Sequence, residues 1–164
     1  MPLRYVDPHR SRGPKYHQGV RFGRSRFGQF MARHIARRTD PLLFRLTGGR
    51  VNMGPIINAP LVTTGAKSGK RRETQLTYFH DGADVVVIAS NFGGERHPQW
   101  YYNLKAHPEC EFGGEPFTAH QVDDPAEYAR LFGLAEQVYA GYADYRTKTE
   151  DSGRDIPIFK LTPR

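Results

Sequence analysis

The stretch Gly65-Ala66-Lys67-Ser68-Gly69-Lys70-Arg71-Arg72 sets four cations within six residues, beside two glycines. Such a loop can cradle an anion. Glycine lets backbone N–H groups approach, and Lys and Arg supply charge-assisted hydrogen bonds to phosphate or carboxylate. It is not a Walker loop, which needs four residues between its glycines and Ser or Thr after the Lys. A solvated basic turn is the alternative outcome of the same residues. Tyr139, Tyr142 and Tyr145 recur every three residues, which puts them on roughly one face of a helix. They read either as a core stripe or as a site lined with phenols, which stay protonated at neutral pH and can donate. His80, His97, His107 and His120 lack metal-ligand spacing and read as surface or capping residues. Cys110 sits beside Glu111 with no neighbouring His, so nothing favours a thiolate. Hydrolase and metalloenzyme chemistry are both disfavoured, and no metal is expected.

The elements that must position these groups read mainly as strands. Residues 61–64 form a short strand entering the basic loop, and 74–80 and 84–90 flank the hairpin signal Asp81-Gly82. A Gly-Gly loop over 91–96 precedes Pro98, which opens a helix over 99–106 that His107-Pro108 ends. Residues 110–112 and 117–122 make a second hairpin across Gly113-Gly114. Asp123-Asp124-Pro125 supplies an N-cap and a Pro for a longer helix from Ala126 to about Thr147, and 156–161 is a closing strand. Short strands with two helical insertions and no βαβ alternation predict an α+β protein on a small antiparallel barrel.

The 164 residues are 38% hydrophobic and 25% charged, with 10 Phe and 9 Tyr, so the chain can bury a real core and is not disordered. The net charge of +7 is uneven. Residues 1–50 hold 12 Lys/Arg against Asp7 and Asp40, while residues 51–164 hold 12 against 15 Asp/Glu. This divides the chain into a basic arm, 1–50, and a body, 51–164. Residues 1–25, rich in Pro, Gly, Arg and His, predict a flexible or loosely docked lead. From Arg26 a helical pattern sets Phe27, Phe30, Met31, His34 and Ile35 against Arg26, Gln29, Arg33 and Arg37. Asp40-Pro41 opens a second short helix through Leu42, Leu43, Phe44 and Leu46, ended by Gly48-Gly49. Their apolar faces either pack on the body or lie on an anionic membrane. No apolar run nears the roughly 18 residues of a membrane span, and no signal-peptide core follows the N-terminus. A soluble cytoplasmic protein is expected, with the arm offering peripheral attachment to the inner face of the cell membrane.

The basic loop belongs to a larger pattern. Residues Thr63 to Arg72, a hairpin, and then Ala89-Ser90-Asn91-Phe92-Gly93-Gly94-Glu95-Arg96-His97-Pro98-Gln99-Trp100-Tyr101-Tyr102-Asn103-Leu104 resemble the deazaflavin-dependent nitroreductase family. These actinobacterial reductases use coenzyme F420. The resemblance spans about residues 58–162 and includes the tyrosine-spaced helix and Ile156-Pro157 before a strand. Ala66 stands where the family commonly has Arg, and Phe92 is an unusual residue between Asn91 and Gly93.

The resemblance implies an FMN-binding-like split β-barrel with a short inserted helix, a long C-terminal helix and an N-terminal helical arm. It implies coenzyme F420, an 8-hydroxy-5-deazaflavin. The anionic tail would lie on Ala66, Lys67, Ser68, Lys70, Arg71 and Arg72. The ring would lie against Thr74, Gln75, Leu76, Thr77, Ile88, Ala89, Ser90 and Asn91, beside Gln99, Trp100, Tyr101, Tyr102 and Asn103. Tyr139, Tyr142, Tyr145 and Ser90 would serve the reaction, with Tyr142 leading for substrate positioning or proton donation. The expected activity is hydride transfer to a quinone or a nitroaromatic acceptor. The competing reading is a non-catalytic module for deazaflavin, flavin or a fatty acyl chain. Nucleic-acid binding by the arm has charge but no recognisable motif and is not expected.

Overall fold

A computed structural model describes residues 3–31, 34, 46 and 56–164. Six antiparallel strands close into a barrel in the order β1-β2-β3-β6-β5-β4. They are β1 Asn58–Thr64, β2 Arg71–Asp81, β3 Asp84–Ile88, β4 Glu109–Phe112, β5 Glu115–Gln121 and β6 Ile158–Pro163. The α+β barrel class expected from the sequence is the class observed. Along β1 the buried residues Ala59, Leu61 and Thr63 alternate with half-buried ones, the period of a strand with one covered face. In β3 the run Val85 to Ile88 is buried throughout, because both of its faces are covered. The β2–β3 turn places Asp81 opposite Asp84, a like-charge pair that needs compensation. Lys160 supplies it at 3.3 Å from each carboxylate, and Arg130 forks Asp81 at 3.0 and 2.7 Å.

Five helices among the described residues wrap the barrel: α1 Pro14–Arg24, α2 Arg26–Met31, α3 Gln99–Ala106, α4 Pro125–Val138 and α5 Gly141–Ser152. Helix α3 has the expected bounds. Helix α4 starts as its sequence predicts, with Pro125 in the first turn and the Glu127 N–H donating to Asp124 Oδ2 at 2.7 Å. The single long helix expected from Ala126 to about Thr147 is two helices. Tyr139 is extended (φ −148°, ψ 104°), and its ring folds over Gly141, where any Cβ would collide with it. Glycine's missing side chain lets an aromatic ring lie there, and that contact outweighs continued helix. Tyr142 and Tyr145 therefore ride on α5, whereas Tyr139 sits at the break.

Residues 3–25 pack on the barrel, where the sequence predicts a flexible or loosely docked lead. Helix α1 begins at Pro14 behind Gly13, and Val6 and Val20 are buried in the common core. The Tyr78 hydroxyl donates to the Arg4 carbonyl at 2.7 Å, and the His80 N–H donates to the Val6 carbonyl at 2.8 Å. Gly113 has φ 60° and lies so close to Leu3 that a Cβ would strike that side chain. The partners lie 74 residues away in sequence, which is why composition alone reads this segment as loose. Of the helix expected from Arg26, α2 is present with Phe27 and Phe30 exposed. The remainder, and the second short helix, lie outside the described residues except His34 and an exposed Leu46.

His80 departs from its expected surface role. It is buried, stacks on Tyr5 with ring centroids 4.4 Å apart, and accepts the Val6 N–H on Nδ1 at 3.0 Å. That bond requires an unprotonated Nδ1. Burial pushes its pKa below the ordinary histidine value, with the Glu115 charge opposing. Because the folded pKa is the lower one, the contact contributes fully above the unfolded value of about 6.5 and is lost as pH falls through the folded value. Between pH 7.5 and 5.5 the wild type should lose about 2–4 °C more in Tm than His80→Gln, which keeps a non-titrating acceptor, as loss of a ~1 kcal/mol bond implies. Scanning calorimetry giving parallel pH slopes would show that His80 does not hold the lead.

Candidate active site

Residues 65–70 join β1 to β2 in a tight loop. The Gly69 N–H donates to the Gly65 carbonyl at 2.8 Å, and the Gly65 N–H donates to the Lys70 carbonyl at 2.9 Å. Ser68 Oγ accepts the Lys70 N–H at 3.3 Å. Asn103 on α3 ties this loop to the barrel: its Oδ1 accepts the Ala66 N–H at 3.0 Å and its Nδ2 donates to Thr63 Oγ1 at 2.9 Å. Asn103 thus uses both amide atoms within the protein, and Trp100 is buried with its ring 6.0 Å from Phe159. Among the α3 residues singled out from sequence, Gln99, Tyr101 and Tyr102 present surface. Ala66, Lys67, Ser68, Lys70, Arg71 and Arg72 are exposed. Arg71 pairs with Glu111 at 2.8 Å. No carboxylate among the described residues pairs with Lys67, Lys70 or Arg72.

Strand β2 runs from this loop toward the tyrosines, with Thr74, Gln75, Leu76 and Thr77 half-buried along it. Gln75 and Thr77 are two apart and share a face. Both amide atoms of Gln75 are buried without a hydrogen-bond partner, an arrangement that demands explanation because an unmet buried amide costs about 1–3 kcal/mol. Thr77 donates to Asn58 Oδ1 at 2.8 Å and lies beside the Tyr142 hydroxyl.

All three sequence-predicted tyrosines are buried and mutually packed. The ring centroids of Tyr139 and Tyr142 lie 5.5 Å apart, and Tyr145 lies 6.1 Å from each. The hydroxyls of Tyr139 and Tyr145 hydrogen-bond at 3.3 Å. Burial raises the pKa of Tyr139 and, further, of Tyr142. Helix α1 roofs the cluster: Arg24 forks Asp144 of α5 at 2.7 and 2.8 Å, and Gly23 lies against the Tyr139 hydroxyl. Tyr16 of α1 brings a fourth phenol close, its buried hydroxyl without a hydrogen-bond partner. Sequence reasoning missed Tyr16, because nothing in the lead signals that α1 folds onto α5.

The segment after β3 completes the site. Ile88 and Ala89 are buried, Ser90 is half-buried, and Asn91 and Phe92 are both left-handed, with φ 46° and 55°. Such conformations in non-glycine residues cost on the order of 1–3 kcal/mol each and persist where neighbours over-determine them. Asn91 Nδ2 donates to the Arg96 carbonyl at 2.8 Å, and the Phe92 ring meets Tyr145 edge-on at 6.0 Å. Arg154, also missed from sequence, donates to the carbonyls of Ala89 and Ser90. The other histidines divide: His97 is half-buried and bonded to Arg154, whereas His107 and His120 are exposed as expected. Cys110 is buried and its thiol is pushed up to about 11 by desolvation, so it is chemically quiet.

Known proteins resemble this chain in sequence and fold. The family model for F420H(2)-dependent quinone reductase matches residues 33–163. The chain is 37% identical over 150 residues to the F420H(2)-dependent quinone reductase Rv1261c of Mycobacterium tuberculosis, covering 83% of this chain and 97% of that protein. A solved F420-H2 dependent reductase (FDR-A) is 35% identical with a TM-score of 0.54, over 63% of this chain and 92% of that one. A second solved structure, a domain-swapped dimer, is 31% identical with a TM-score of 0.58, over 81% and 98%. The chain therefore belongs to the F420H(2)-dependent quinone reductase family.

Proposed function

We propose that the chain holds the anionic tail of reduced F420 on Lys67, Lys70 and Arg72, sets the ring along β2 and the Ser90 segment, and reduces a quinone beside the tyrosines. The observation that carries this reading is a pair of unmet demands joined by one strand. At one end of β2 three cations have no carboxylate partner among the described residues. Further along, Gln75 keeps both amide atoms buried and unbonded. A ligand with an anionic tail and a planar, polar-edged ring answers both. When bound, the coenzyme supplies a hydride. The cations bind the tail, whose charge does not change in the reaction, so their contribution is uniform binding. Tyr142 holds a proton at Oη, with Tyr139 and Tyr145 beside it, and their neutral phenols can meet negative charge arising on an acceptor oxygen. Helix α1 keeps solvent from these hydroxyls.

Lys67→Ala with Arg72→Ala should weaken deazaflavin binding at least about tenfold, the ~1.4 kcal/mol expected of exposed charge-assisted bonds, while turnover at saturating coenzyme stays within about twofold. Fluorescence titration finding an unchanged Kd would reduce the loop to a solvated turn. Tyr142→Phe should lower turnover with menadione roughly ten- to a thousandfold and leave coenzyme affinity nearly intact. Full activity in Tyr142→Phe, Tyr139→Phe and Tyr145→Phe alike would make the cluster packing only. A nitroaromatic serves as a second acceptor in the same assay. Tight coenzyme binding with neither acceptor reduced would favour the non-catalytic module.

A second surface supports attachment to anionic lipid. Phe22, Phe27 and Phe30 are 55%, 62% and 54% exposed beside Arg21 in the last turn of α1. No helix among the described residues is long and apolar enough to cross a membrane, so contact would be interfacial. Because Val6 and Val20 belong to the core, surface substitution tests this more cleanly than truncation. Replacing the three phenylalanines with Ser should abolish co-sedimentation with phosphatidylglycerol vesicles at low salt without changing Tm by more than about 2 °C. Equal sedimentation of wild type and variant would end the lipid reading.

A further inference from the structure

We propose that Arg154 is a positioning residue for hydride transfer, clamping the Ser90–Phe92 turn, left-handed at Asn91 and Phe92, in the shape the ring must meet. This rests on the site described under Proposed function. Arg154 follows Gly153, the left-handed cap of α5, and so leaves the helix that carries Tyr142 and Tyr145. Its Nη2 donates to the Ser90 carbonyl at 2.6 Å, and its Nη1 donates to the Ala89 carbonyl at 3.2 Å. Nη1 also lies 3.1 Å from His97 Nδ1, and a guanidinium has only donors, so that nitrogen accepts. The His97 ring in turn stacks at 4.4 Å on Tyr101 of α3. One planar fork thus joins α5, the segment after β3 and the approach to α3.

Among the described residues no carboxylate neutralises this half-buried guanidinium. Its charge is spent on backbone carbonyls, and its Nε is buried without a partner. An arrangement this costly to desolvate holds a shape better than it stabilises a fold. The shape it holds is the strained one. Asn91 and Phe92 follow directly, both left-handed, and the Gly93 and Gly94 N–H groups close back on the carbonyls of Ser90 and Asn91 at 2.9 and 3.0 Å. Gly93 lies against Lys148 and Tyr145 of α5, so movement of the turn would be felt at the tyrosines. Coenzyme capture depends on the basic loop at the far end of β2, whereas alignment of the ring depends on this turn. The two should separate kinetically.

Arg154→Gln should lower turnover at saturating coenzyme ten- to a hundredfold, the scale of an ~1 Å misplacement, with the deazaflavin Kd within threefold of wild type. In the coenzyme-free protein, NMR-detected hydrogen exchange at the Gly93 and Gly94 amides should rise at least tenfold while the β3 and β6 amides stay protected. Arg154→Lys, which keeps the charge but cannot fork two carbonyls, should recover only part of the turnover. Turnover within twofold of wild type, or unchanged exchange at both glycines, would overturn the proposal. So would a Lys variant as active as wild type, or exchange rising uniformly across the barrel, since these would make Arg154 a bulk charge or a general support. If Arg154→Gln does not fold, Arg154→Lys decides by the same exchange and turnover criteria. If wild type binds no deazaflavin, the reading of the site fails, and the exchange measurement still decides whether Arg154 clamps the turn.

Discussion

Closure of six strands fixes what this protein can do with its surface. A barrel this small is filled by its own side chains and offers no lumen. Leu61, Val85, Phe112, Phe117, Ile158 and Leu161 are all buried. A planar coenzyme must then be bound outside, along a strand and under whatever the connections provide. Strand β2, the longest, extends beyond the closed part of the sheet into the basic loop. The seam between β1 and β4 is brief, pairing only Leu61 with Phe112 and Val62 with Glu111. Asn103 reinforces the β1 end by binding Thr63 and the loop at once.

Charge is distributed accordingly. Asp81, Asp84 and Glu127 meet Arg130 and Lys160 in a closed network at the β2–β3 turn, away from the basic loop. Arg130 holds both the Asp81 and Glu127 carboxyls below the usual carboxylate range, chiefly through its hydrogen bonds. Each exposed pair contributes little on its own, and the network lies at the end of β2 opposite Lys67, Lys70 and Arg72. Unmatched cations repel one another, and a multiply charged anion relieves that repulsion as it binds. Affinity for such a tail then draws on a cost already present in the free protein.

Much of this was legible from residue order, because the signals are local. Gly82 and Gly113-Gly114 mark hairpins, Asp124-Pro125 marks a helix start, and the loop's glycines and cations sit within eight residues of each other. What was not legible depends on contacts distant in the chain. The lead reads as loose until Val6 finds His80, and His80 reads as a surface residue for the same reason. The helix break at Tyr139 required a ring lying over Gly141, which periodicity cannot register. Arg154 and Tyr16 carry no motif; their roles arise only where α5 and α1 are brought to the barrel.

The burial of the tyrosines bears on the chemistry in a way their spacing did not. A core of phenols is costly unless each hydroxyl has a partner, yet Tyr16 keeps its hydroxyl buried and unmet, while the hydroxyls of Tyr139 and Tyr145 meet each other at 3.3 Å. Hydride arriving at a quinone leaves negative charge on oxygen, which a donor must meet. A carboxylic acid would be ionised at neutral pH, and a buried lysine would tend to lose its proton, whereas burial drives a phenol further toward its neutral, donating form. Tyr139 and Tyr142 show that upward shift, with desolvation its largest cause. Helix α1, latched through Arg24 to Asp144, lies over them. In the proposed reaction, then, the arm is not an appendage to the barrel but the wall that makes a phenol the available acid.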